Sequence, residues 1–276
     1  MTTLSALFRY PVKSLQGSAC DHTLVEKRGL QGDRRWMIVD GNGVFLTARN
    51  HPVFHQVRVK DTADGIELSH DVYGTAFVPT PKKSANYTTV KVWRDNVRAS
   101  PSEAGEARAM LSRLTGVKAN LVFQHSAGSR PIDPQYSYKG DFTSFSDGFP
   151  ILLTSVTSIQ DVALKAQASV AMQQFRPNIV VDGFPPWDED CWRRIRIGGA
   201  IFRIAKPCSR CVVTTLDAET GKRHDSNEPL KTLSGFRRSA GGKIIFGQNL
   251  IPEILGTIQV GDPVEVLEMG PTNIDW

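Results

Sequence analysis

From Thr3 to Phe123 the chain is cut into short β-rich runs by closely spaced turn residues, a pattern that suits short antiparallel strands and little else. The spacing predicts a strand at Thr3–Arg9 that stops at Tyr10-Pro11. It predicts a hairpin of Arg35–Asp40 and Val44–Ala48 around Gly41-Asn42-Gly43. A second hairpin joins Val57–Lys60 to Ile66–Ser69 through Asp61–Gly65, and Val90–Trp93 and Asn120–Phe123 add further strands. One helix interrupts them at Glu103–Leu114, with Ser100 or Ser102 to cap it and Gly116 beyond its end.

Ser126–Tyr138, rich in Ser, Gly and Pro, reads as a linker or long loop. Beyond it come a strand at Ile151–Thr154, a helix of about a dozen residues capped by Ser155, and a buried strand at Ile179–Val181. Ile195–Ile197 and Ala200–Ile204 form a hairpin around Gly198-Gly199, and its second strand delivers the chain to Cys208. Ile258–Val260 and Val264–Leu267 close the domain around Gly261-Asp262-Pro263. The fold class is therefore mainly β with a few helices (α+β), built as barrels or curled sheets. A hydrophobic fraction of 40% over 276 residues can fill one large core or two small ones.

Chemistry concentrates at Lys206-Pro207-Cys208-Ser209-Arg210-Cys211, which runs into the β-rich Val212–Asp217. Two soft sulfurs beside a cation suit a transition metal or a redox thiol, and the arginine can hold an anion. A closed zinc site needs four ligands. Cys20 and Cys191 form no second pair, and His51 and His55 lie far upstream. Four unevenly spaced cysteines make no disulfide framework.

The net charge of +5 comes from scattered pairs such as Arg34-Arg35 and Arg237-Arg238, which fit an anion pocket at least as well as a nucleic-acid face. No nucleic-acid motif, secretory signal or membrane-length apolar run is visible, so the expectation is a cytoplasmic protein with neither nucleic-acid nor membrane partners. Nucleophile elbow, P-loop and Rossmann fingerprints are missing too.

Six further segments carry polar groups. Lys13-Ser14 after the first strand can hold a phosphate, or be a solvated turn. In Gly32-Asp33-Arg34-Arg35-Trp36 the aspartate can orient an arginine, or form a surface ion pair. Phe175-Arg176-Pro177-Asn178 aims a guanidinium and a carboxamide from the mouth of a strand, or merely punctuates it. Ser146–Pro150 and Phe246–Asn249 read as glycine loops, and Pro185–Asp190 as an acidic surface loop without a catalytic role.

The order of these motifs, together with Glu228-Pro229-Leu230-Lys231-Thr232-Leu233, resembles the MOSC superfamily over nearly the whole chain. The likeness is to its amidoxime-reducing branch and to bacterial proteins that detoxify N-hydroxylated bases. It implies an N-terminal β-barrel domain at 1–122, with the first strand and the Lys13 loop packing on a MOSC β-barrel domain at 123–268. It also implies a molybdenum cofactor, a molybdopterin whose metal takes Cys211 as ligand and catalytic thiolate. By motif position, Lys13, Ser14 and Arg34 hold the cofactor phosphate. Arg176 and Asn178 touch phosphate and pterin, Ser209 and Arg210 line the pterin, and Asp147 and Asn249 make further contacts.

The implied activity is reduction of a small N-hydroxylated substrate to its amine; the alternative is a cofactor or sulfur carrier. Close bacterial relatives add a ferredoxin domain, but no cysteine follows Cys211 here. Either electrons come from a separate protein, a flavin reductase or an iron–sulfur or haem carrier, or the sequence is part of a longer chain. The expectation is the separate donor, with no iron–sulfur cluster in this chain.

Overall fold

The computed structural model describes residues 1–82, 86–125 and 129–275. Its largest unit is an eight-stranded sheet ordered Ser18–Cys20, Thr3–Arg9, Ile179–Asp182, Ile151–Ser155, Ile245–Ile254, Ala200–Ser209, Trp192–Ile197 and Val264–Met269. All neighbours are antiparallel except Ile151–Ser155 and Ile179–Asp182, which run parallel with helix α2 (Val156–Ala166) between them in sequence. A parallel pair needs such a crossover because the chain must return to the same end of the sheet. Leu4, Leu7, Trp192, Phe202 and Leu250 fill the core of this unit.

A second core belongs to the N-terminal part. Trp36–Asp40, Ala119–Phe123, Asp95–Pro101 and Thr88–Val92 form a four-stranded sheet, and Arg58–Thr62, Gly65–His70 and Gly74–Pro79 a three-stranded one. Alternation sets their faces: Val90, Val92, Val97 and Ala99 point inward while their sequence neighbours in Thr88–Val92 stay exposed. Helix α1 (Gly105–Thr115) lays Ala107, Met110 and Leu111 on this core and ends at Gly116 in the left-handed region, φ 71°. Short helix α3 (Leu230–Phe236) packs Leu233 with Ile159, Val162, Phe175 and Phe246.

The mainly β class stands, and several local expectations change. Val44–Ala48 is not a strand; Val44 and Phe45 make isolated bridges, and Trp36–Asp40 takes its full partner from Ala119–Phe123. Turn chemistry survived there, since the Asp40 carboxylate accepts from the N–H groups of Asn42 and Val44. Gly261-Asp262-Pro263 is not a closing hairpin. Gly256–Gln259 pairs with His22–Glu26, whereas Val264–Met269 pairs with Trp192–Ile197.

Phe246–Asn249 lies inside a ten-residue strand rather than a loop. Val212–Thr215 is a 3-10 helix, because the strand before it already ends at Ser209. The N-cap of α1 is Ala104, not Ser100 or Ser102, although Ser102 Oγ accepts the Ala104 N–H at 3.1 Å. Ser155 occupies the N-cap position of α2, but its hydroxyl contacts Thr157 instead of a backbone N–H. Pro185–Asp190 is no surface loop throughout, since Glu189 and Asp190 are buried. Residues 126–128 of the expected linker lie outside the described residues.

Candidate functional site

The first strand carries the N-terminal loops to the large sheet. Phe8 N–H donates to Asn178 O at 2.9 Å, which sets the Lys13 loop beside Arg176–Asn178. Across the sheet Lys206 pairs with Asn249, bringing the cysteine segment to the same end. Between them opens a cavity of about 390 Å³. Lys13, Ser14, Arg34, Asp147, Arg176, Asn178, Ser209, Arg210, Cys211 and Asn249 all line it, together with Cys208 and Lys206.

The backbone is distorted where it meets the cavity. Seven non-glycine residues have positive φ among those described, and four line this site: Ser14 (74°), Arg34 (46°), Trp93 (55°) and Arg176 (55°). Such conformations cost on the order of 1–3 kcal/mol each and persist only where surrounding contacts enforce them.

Those contacts form a buried network. Asp33 accepts from Tyr10 N–H at 2.9 Å, from Arg34 at 2.6 Å and from Asn178 Nδ2 at 3.0 Å. Asn178 Oδ1 accepts from Arg34 at 2.8 Å and from Leu152 N–H at 3.2 Å, and its Nδ2 also donates to Phe8 O. The carboxamide is thus committed within the protein, and its visible work is to hold the guanidinium of Arg34. Arg34 and Arg176 sit on the Tyr10 ring, 4.4 and 4.3 Å from its centroid.

Burial drives the Tyr10 pKa up to about 12 against the opposing pull of Arg176 and Arg34. Burial also lowers Arg176 to about 10, an effect Tyr10 partly offsets and Arg34 reinforces. Arg176 Nη2 and Arg210 Nε are buried without a hydrogen-bond partner.

Lys13 is buried and not the solvated turn residue its sequence allows. Its Nζ donates to Phe145 O at 2.9 Å and pairs with Asp147. Burial lowers its pKa, and Asp147 opposes the shift. Crowding by protein atoms would raise the Asp147 carboxyl. The Lys13 ammonium and its hydrogen bond, Arg49 and the Trp93 N–H outweigh that and hold it well below the usual carboxylate range.

The two sulfurs have different partners. Cys208 Sγ accepts from Arg210 Nη1 at 3.0 Å, while Arg210 Nη2 donates to Phe175 O at 2.7 Å. Cys211 Sγ accepts from Arg49 Nε at 3.4 Å. The turn after Cys211 is tied to the N-terminal part, where Gln56 Nε2 donates to Thr220 O at 3.0 Å and His55 Nδ1 meets Ala218 O at 3.2 Å. His55 is thus buried and tied to the turn after Cys211, and no group of three or more His, Cys, Asp or Glu that could hold a metal ion is found among the described residues.

Sequence reasoning missed Arg49 and Trp93, which enter the cavity from the N-terminal part. Neither lies in a chemistry-bearing motif, and only the packing of the two parts brings them to Cys211. What the cavity offers is two free thiols, Cys208 and Cys211, cations on several sides and the carboxylate of Asp147. That arrangement suits a polyanionic ligand carrying a soft metal.

The cavity lies at the end of a curled β-sheet, and most of the chain matches known domain families. The profile of the MOSC domain matches residues 141–265, and that of the MOSC N-terminal beta barrel domain matches 1–118. The chain belongs to the MOSC family.

Among curated relatives, mitochondrial amidoxime-reducing component 1 of Homo sapiens is 32% identical, over 96% of this chain and 83% of its own. The molybdenum cofactor sulfurase of Oryza sativa subsp. japonica is 28% identical, over 88% of this chain and 32% of its own. The solved YUAD protein from Bacillus subtilis aligns over 96% of this chain and 94% of its own, with TM-score 0.44 and 14% identity. No helix among the described residues is long and apolar enough to cross a membrane.

Proposed function

We propose that this protein is a molybdenum-cofactor-dependent reductase that converts small N-hydroxylated compounds to their N-dehydroxylated forms, amidoximes to amidines and hydroxylamine-type bases to amines. The observation that carries this reading is Cys211 facing a cavity in which Arg176 Nη2 and Arg210 Nε are buried and unpartnered. Buried guanidinium N–H groups are costly to leave unmade, so an anion belongs there. The residues therefore fit a phosphorylated pterin with a thiolate-ligated metal.

In this reading Cys211 supplies the metal's protein ligand. Lys13, Ser14, Arg34 and Arg176 bind the phosphate, and Ser209, Arg210, Asp147 and Asn249 orient the pterin. Asn178 and Asp33 act by fixing Arg34. When bound, the cofactor supplies a two-electron, oxygen-accepting centre. The balance for an amidoxime is R–C(NH₂)=NOH + 2e⁻ + 2H⁺ giving R–C(NH₂)=NH + H₂O. Asp147 stays ionised through the neutral range, so it offsets positive charge and does not donate those protons. Electrons arrive from a separate flavin, iron–sulfur or haem protein.

The test is to express the chain in hosts with and without the pterin pathway. About one molybdenum per chain is expected only in the first, together with amidoxime reduction driven by a reduced viologen. Stoichiometric zinc in both hosts would overturn the reading. Full molybdenum loading without turnover with any donor would favour a cofactor or sulfur carrier, a role for which the sulfurase relative is the support.

A further inference from the structure

Thr88–Val92 and Asp95–Pro101 pair with Val92 opposite Asp95, leaving Trp93-Arg94 as a two-residue hairpin loop. Trp93 has φ 55° and Arg94 does not share the positive φ. A positive φ at the first position of such a loop is where glycine belongs, and a tryptophan there is strained.

The strain does not serve to bury the ring. Trp93 is 36% exposed and lines the cavity. Its indole N–H donates to Asp147 Oδ1 at 3.3 Å, and Phe45 meets the ring at 4.8 Å, near edge-on. The guanidinium of Arg49 lies 4.6 Å from the indole centroid, and the Nε of the same group is the donor to Cys211 Sγ. The indole is thereby braced by Arg49, Asp147 and Phe45 in the cavity that Cys211 also lines.

Resting on the reductase reading, we propose that Trp93, steadied by Arg49, is a substrate-positioning residue. It selects planar, conjugated N-hydroxylated groups such as aromatic amidoximes and N-hydroxylated heterocyclic bases over flexible aliphatic hydroxylamines. A flat conjugated system gains a stacking contact with the indole, whereas a puckered alkyl chain does not. The strained backbone is the structural cost of holding the ring at the cavity.

The experiment uses the molybdenum-loaded protein and Trp93→Gly, which removes the ring and relieves the positive φ, with Trp93→Phe as the conservative partner. Initial rates with a reduced viologen are measured for benzamidoxime and for N-cyclohexylhydroxylamine, and benzamidoxime binding by calorimetry. For Trp93→Gly, KM and Kd for benzamidoxime are expected to rise about tenfold, the scale of one lost stacking contact. The aliphatic substrate should change much less, molybdenum content should hold, and Tm should not fall. Trp93→Phe should recover most of the benzamidoxime affinity.

Equal losses on both substrates, a fall in molybdenum content or a lowered Tm in Trp93→Gly would each overturn the proposal. Wild-type protein that binds benzamidoxime through Trp93 but reduces neither compound would sink the reductase reading and leave the platform standing. Wild-type protein that does not bind benzamidoxime sinks the platform whatever its activity.

Discussion

Cys211 and Cys208 are three residues apart, yet their surroundings assign them different work. Cys208 Sγ is an acceptor for Arg210, a role a hydroxyl can take over, whereas Cys211 is the sulfur beside Arg49. Cys211→Ser is expected to retain roughly tenfold less molybdenum through gel filtration, because a hydroxyl is a poor soft-metal ligand. Cys208→Ser should retain most of it, and the reverse order in elemental analysis would reassign the ligand. Arg176 gives a second contrast. Its buried guanidinium has an unpartnered Nη2 and a pKa lowered to about 10, so it strains the cofactor-free protein. Arg176→Ala should leave the Tm of that protein unchanged or higher. Cofactor affinity should drop at least about tenfold, since a charge-assisted bond contributes about 1.5–3 kcal/mol. Loss of apo stability with unchanged cofactor content would make Arg176 structural.

Two elements carry expectations of their own. Gly247 sits in the Ile245–Ile254 strand at φ 78°, where an added Cβ would come 2.6 Å from Leu153 O in the neighbouring strand. Gly247→Ala should destabilise by more than about 2 kcal/mol in urea titration, combining left-handed strain with a backbone clash. The 3-10 helix Asp188–Cys191 buries Glu189, whose Oε2 accepts from Ser158 at 2.9 Å and whose Oε1 has no partner. Burial, reinforced by Asp190 and opposed by Ser158 and Arg237, raises its pKa from 4.5 to about 7. The folded state therefore holds this proton more tightly than the unfolded chain. Its contribution is intact below pH 4.5, declines as pH rises, and is gone above about pH 7. Glu189→Gln should match wild type near pH 4.5 and exceed it by on the order of 2–3 kcal/mol at pH 8. Equal stabilities at both pH values would refute the raised pKa. The sequence could not show this, because Pro185–Asp190 has the composition of a solvated loop and only packing under α2 withdraws it from water.

At the scale of the molecule, the N-terminal strand belongs to the C-terminal sheet. Thr3–Arg9 lies between Ser18–Cys20 and Ile179–Asp182, and Leu4 and Leu7 are wholly buried in the large core. Residues 123–276 expressed alone are expected to show no cooperative thermal transition, since burial of each such leucine stabilises by about 1.5–3 kcal/mol and the sheet would lose both N-terminal strands and leave Ile179–Asp182 as a bare edge. A sharp transition in that fragment would show the strand to be dispensable. Local pattern was enough for the mainly β class, for Thr3–Arg9 and for the Gly198-Gly199 hairpin, because strand alternation and turn chemistry act over a few residues; it left each motif segment open between a ligand contact and ordinary surface, and only the family resemblance grouped them. It misjudged Val44–Ala48 and Gly261-Asp262-Pro263, where a good turn does not decide which strands pair. Pairing is a competition among distant edges, settled by the cores they bury. For the same reason Arg49 and Trp93 are silent in the sequence. Their place in the cavity of Cys211, which lies 162 residues from Arg49, exists only because the two parts pack together.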